Sequence, residues 1–110
     1  MTTPRGYAMA YVTAPDRKTA RRIARTVLTK RLAACANLLD AESLYWWEGK
    51  IEEADETVVV FKTRRALVPR LIAAVKAAHP YEVPCVVSYA MGPASKDYVA
   101  WIERETRAQR

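Results

Sequence analysis

Three glycines, two cysteines, one histidine and one phenylalanine are all that this 110-residue chain holds of those residue types. So few glycines leave no Gly-rich loop of the kind that cradles phosphates. Cys35 and Cys85 form neither a disulfide framework nor a CxxC zinc pattern. Their thiols are expected to be reduced, as in a cytosolic protein. The lone histidine, His79, comes with no recognisable Ser/His/Asp set. No apolar run approaches the ~20 residues needed to span a bilayer. The N-terminal "MTTPRGYAMAYVTAPD" lacks a basic region leading into a long apolar stretch and a small-residue cleavage site. A soluble, cytoplasmic protein with no membrane partner is therefore expected.

What is present is a chain that is 51% hydrophobic, long enough for one domain and too short for two with proper cores. Its net charge of +6 is unevenly spread. Arg17, Lys18, Arg21, Arg22, Arg25, Lys30 and Arg31 follow one another with no acid between them. Glu48, Glu52, Glu53, Asp55 and Glu56 are interrupted by a single base, Lys50. Such asymmetry bears on association and solubility before it bears on fold.

Residues 7–13, "YAMAYVT", form a β-prone run, and Asp16 is placed to cap a helix. Ala20, Ile23, Ala24, Val27, Leu28 and Leu32 then recur at helical spacing, with the basic residues on the opposite stripe. Residues 34–47 and 50–63, broken at Glu48-Gly49, read as a long β-hairpin. A second amphipathic helix carries Leu67, Leu71, Ala74, Val75 and Ala78, with Pro69 tolerable only in its first turn. Residues 86–90 make a fourth strand, and Ser95 caps a short terminal helix bearing Tyr98, Trp101 and Ile102. The order β-α-β-β-α-β plus a helix is the ferredoxin-like, α+β arrangement. Right-handed crossovers place both long helices on one face of the sheet.

The hairpin arms are longer than such a domain can cover. About 14 residues per arm is over ~40 Å of extended chain. Leu44, Tyr45, Trp46 and Trp47 are consecutive, so both faces of that strand carry large apolar groups. Soluble proteins avoid exposed aromatic patches and long free edges. A second copy of the chain is the natural cover, so a homo-oligomer is expected.

Chemistry is concentrated in "HPYEVPC", residues 79–85. Pro80 biases His79 out of the α region and ends the helix there. His79 can simply meet helix-terminal carbonyls. It can also ligate a metal with Glu82, Cys85 or a group from another subunit, and imidazole with thiolate suits copper or zinc. Cys35, in "RLAACAN", reads first as a small buried hydrophobe, and second as a catalytic thiol paired with His79 in space. The basic stripe is better explained as a solvated helix face, one that can meet the acidic hairpin turn, than as a nucleic-acid surface, since no aromatics interleave with it. Tyr45, Trp46 and Trp47 can stack a ligand, although core or interface packing is the stronger reading.

Taken together, "TAPD", "RLAACAN", "SLYWWEGKIEE", "FKT", "HPYEVP" and "DYVAWI" resemble, in order and spacing, the CutA family of divalent cation tolerance proteins. The match spans nearly the whole chain, so a single CutA-like domain over residues 1–110 with a core of about 7–104 is expected. The resemblance implies a tight homotrimer built like the PII signalling proteins, a response to metal ions and copper binding without catalysis. It implies no cofactor required for folding. Some family members carry a cysteine just before "TAPD" and a second histidine before "HPY", proposed as copper ligands. This chain has Val12 and Ala78 there, and Cys85 where glutamate is common, leaving His79 and Cys85 as the metal candidates. Tyr45, Trp47, Lys50, Lys62, Tyr81 and Glu82 match the family pattern, which with Cys35 makes them candidates for intersubunit clefts. The competing readings are a PII-like regulator binding a small anionic ligand or partner protein, and an enzyme using Cys35 or His79.

Overall fold

A computed structural model describes residues 5–107. Its elements are β1 (Tyr7–Ala14), α1 (Arg17–Thr29), β2 (Cys35–Trp47), β3 (Lys50–Arg64), α2 (Val68–Ala78), β4 (Val86–Ala90) and α3 (Lys96–Glu105), with a 3-10 turn at Arg65–Leu67. The four strands form one antiparallel sheet in the order β2-β3-β1-β4. This is the expected ferredoxin-like α+β topology, each helix crossing over to the far side of a neighbouring strand.

Alternation in β1 decides which face is the core. Ala8, Ala10, Val12 and Ala14 are buried while the residues between them are not. Ala10, Val12 and Ala14 pack with Val59 and Phe61 of β3, with Ala20, Ile23, Ala24 and Val27 of α1, and with Leu71, Ala74 and Val75 of α2. Small side chains on β1 let both helices approach closely. Pro69 sits in the first turn of α2, where its missing N–H has no intrahelical partner.

Both predicted caps form: Asp16 and Ser95 accept hydrogen bonds from Thr19 N and Tyr98 N respectively. The first helix differs from expectation at its far end. It stops at Thr29, and Arg31 takes φ 58°, returning Leu32 to the core from outside the helix. Leu32 N bonds Val27 O and Arg31 N bonds Leu28 O, the Schellman pattern, with arginine at the position glycine usually fills. Arg31 is held there by Glu105, through the side chain at 2.9 Å and the backbone carbonyl at 3.1 Å. The basic stripe does not meet the acidic hairpin turn; Arg17 instead bonds Asp40 on β2 at 2.7 Å.

Glu48 and Gly49 both have positive φ, 49° and 80°, so the hairpin closes with a two-residue turn of the mirror-image type that matches strand twist. Trp47 pairs Lys50 directly, and the ladder runs unbroken to Cys35 opposite Lys62. An arm of 13 residues extends ~43 Å at ~3.3 Å per residue, which matches the molecule's 44 Å long axis. Towards the tip it leaves the core: Leu44 is 62%, Trp46 72% and Ile51 58% exposed.

Candidate functional site

Residues 79–85 connect α2 to β4 and form one wall of the main cleft. Pro80 forces His79 into extended backbone, φ −89° and ψ 137°, so α2 ends at Ala78. The imidazole then turns back onto the sheet. Its Nε2–H donates to the Thr13 carbonyl of β1 at 2.7 Å, and its Nδ1 accepts from Tyr81 N–H at 3.1 Å. These two bonds select the neutral Nε2–H tautomer. His79 is buried and stacks at a tilt on Tyr81, ring centroids 4.7 Å apart. Tyr81 continues the chain of contacts by donating its O–H to Glu56 Oε2 at 2.9 Å. Burial first, then the bond to Glu56 and its negative charge, push the Tyr81 phenol well above its usual range. His79 and Tyr81 therefore pin the connection to β1 and β3.

The hairpin arm of β2 faces this connection across a cleft of about 830 Å³. Tyr45, Trp47, Glu56, Tyr81, Glu82 and Cys85 line it, together with Thr13 and Glu42. Five of the expected residues thus come together: Tyr45, Trp47, Tyr81, Glu82 and Cys85. His79 stands behind the wall, bonded to Thr13 and Tyr81 rather than opening into the cleft. Lys50 lies at the hairpin turn, while Cys35 and Lys62 face each other at the hairpin root. Glu42, Glu56 and Thr13 are members that sequence reasoning missed. In sequence Glu56 is simply one of an acidic run, whereas in the structure it is buried and accepts from Tyr81, 25 residues on.

The cleft's ionisable lining is carboxylate, phenol and thiol, with no lysine or arginine. It suits a cation. A single chain nevertheless does not supply a closed metal site: among the described residues no three of His, Cys, Asp and Glu converge on one point. Both His79 nitrogens already have partners, and Cys85 is exposed. A metal held here needs a ligand from elsewhere or the opening of a His79 bond.

The topology and this cleft define a class: ferredoxin-like α+β proteins with an overlong, apolar-tipped hairpin and a histidine-anchored loop closing on it. The family model described as CutA1 divalent ion tolerance protein matches residues 8–105. The "Divalent-cation tolerance protein CutA" of Pyrococcus horikoshii is 40% identical over 99 residues, covering 90% of this chain and 97% of that one. The human "Protein CutA" is 42% identical over 106 residues; the chain is 96% covered but spans only 59% of the longer human protein. The solved structure of the "periplasmic divalent cation tolerance protein CutA" from Archaeoglobus fulgidus superposes with a TM-score of 0.90 at 38% identity, covering 92% of this chain and 99% of that one. CutA1 from Oryza sativa gives a TM-score of 0.90 at 35% identity, covering 98% and 100%. This chain belongs to the CutA1 divalent ion tolerance family.

Proposed function

We propose that the chain acts as a homotrimeric divalent-cation tolerance protein, cytoplasmic and non-enzymatic, that binds copper between subunits. The observation that carries this reading is the acidic, thiol-bearing cleft beside a hairpin whose apolar tip is left uncovered by the described residues of its own chain. A neighbour packed on the tip adds a second wall to the cleft and brings further ligands to Cys85 and Glu82. In this arrangement Cys85 offers a soft donor suited to Cu(I). His79 holds the loop in place and can ligate only by giving up Thr13 or Tyr81. Engagement of both imidazole nitrogens also speaks against His79 as a general base, and so for a non-catalytic role. The two free thiols, Cys35 and Cys85, fit a reducing compartment.

The PII-like alternative, a small anionic ligand in the same cleft, is disfavoured by the cleft's charge: an anion would face Glu42, Glu56 and Glu82 with no base opposite. Titration of the purified oligomer with Cu(I) and Cu(II) tests the proposal. Cys85→Ser is expected to weaken Cu(I) binding at least tenfold while leaving assembly intact. Unchanged affinity in both Cys85→Ser and His79→Ala would remove copper from this cleft.

A further inference from the structure

Cys35 and Lys62 are direct cross-strand partners at the root of the hairpin, the end of the ladder farthest from the turn. Such partners in an antiparallel pair have Cβ atoms about 4.5–5.5 Å apart and on the same face. Asn37, two residues along that face, gathers both side chains onto one oxygen. Its Oδ1 accepts from Lys62 Nζ and, at 3.6 Å, from Cys35 Sγ. Tyr98 of α3 lies near enough to Cys35 to feel it electrostatically, and stacks on Trp101 with ring centroids 5.8 Å apart. Burial, then the neighbouring Cys35, raises the Tyr98 phenol, as expected where a helix covers the pair. A thiol and a primary amine are thus held together, half-buried, in a place the cleft does not use.

We propose that Cys35 and Lys62 form a reversible covalent cross-link, a sulfenamide, when the protein meets a peroxide. The Cys35 thiolate attacks one peroxide oxygen and the O–O bond breaks. Sulfur is oxidised by two electrons to the sulfenic acid, and the other oxygen leaves as hydroxide and is protonated to water. The Lys62 ammonium gives one proton to solvent, and the amine so formed attacks the sulfenyl sulfur, forming S–N as S–O breaks. Hydroxide departs and takes the amine proton as a second water, with no further oxidant needed. Sulfenic acids condense in this way even with backbone nitrogen, and a lysine amine is the stronger nucleophile. Two equivalents of an added thiol reverse the link, restoring thiol and amine and leaving a disulfide of the reductant. The link also removes the Lys62 charge at the hairpin root.

The test uses the full-length Cys85→Ser variant, in which Cys35 is the sole thiol, treated with hydrogen peroxide. Intact mass is expected to fall by two hydrogen masses. Peptide mapping is expected to join the Cys35 and Lys62 peptides, with trypsin no longer cutting after Lys62, and dithiothreitol is expected to undo both changes. Adding Lys62→Arg keeps the charge and a donor for Asn37 but removes the amine. That double variant, with an unchanged circular-dichroism spectrum, is expected to lose the link and leave a sulfenic acid that dimedone traps. The proposal is overturned if Cys35 resists peroxide, if it passes to sulfinic acid or an intermolecular disulfide without a joined peptide, or if Lys62→Arg still gives the same link. The mapping of Cys85→Ser alone decides the matter should the double variant not fold.

Discussion

His79 shows how one side chain can be chemically suggestive and structurally committed at once. Its ring joins the end of α2, the β1 carbonyl of Thr13 and the Tyr81 amide, so truncation frees three elements together. His79→Ala is expected to cost about 2–4 kcal/mol, from two lost hydrogen bonds and a carbonyl left without its donor. Urea unfolding should read this as a lower midpoint with unchanged slope. Tyr81 makes a prediction in pH. Its folded phenol lies above the unfolded value, held in the protonated form by burial and by Glu56. The stability this contributes is complete below the unfolded value of about 10 and is lost as pH rises towards the folded one. Stability should therefore fall with increasing alkalinity above about pH 10. The fall should be shallower in Tyr81→Phe, though not absent, since Tyr98 is shifted in the same direction.

At the scale of elements, the hairpin is two structures joined end to end. Its root is core: Phe61, Val59 and Val58 are buried, and Phe61→Ala should cost about 3–5 kcal/mol. Its tip is surface, where Trp46 and Ile51 are cross-strand partners exposed at 72% and 58%. Replacing that pair by Trp46→Lys with Ile51→Glu substitutes an opposite-charge cross-strand pair, so the strand ladder should survive. Under the assembly proposed above, the far-ultraviolet spectrum should stay unchanged while light scattering falls to the mass of one chain. Retention of the larger mass would show that the tip is not what holds copies together. Leu39, Val87 and Tyr89 are also exposed, but the register sets them on the opposite face of the sheet from Trp46 and Ile51, a second apolar surface.

For the molecule as a whole, assembly and stability should be one equilibrium. A partner that binds only the folded chain raises the midpoint of unfolding as its own concentration rises. The wild-type thermal midpoint is accordingly expected to climb with protein concentration, and that of the Trp46→Lys, Ile51→Glu variant to be flat. Charge belongs to this scale too. The chain carries +6 overall, yet its cleft is acidic, because the basic residues of α1 lie on a helix face that turns to solvent. Global charge therefore says little about what the cleft attracts.

Periodicity and turn chemistry determined the element order, both caps and the place of Pro69, because these depend on residues within a turn or a strand of one another. The excess length of the hairpin was equally plain, since strand rise is fixed and the two helices are short. Motif order carried the family resemblance across nearly the whole chain. Only the tertiary structure decided which residues meet: that His79 turns inward to Thr13, that Glu56 is buried and accepts from Tyr81, and that Cys35 stands with Lys62 instead of in the cleft. Those are contacts between residues far apart in sequence. They are set by sheet register and by how the loop at 79–85 folds back, and no local pattern encodes either.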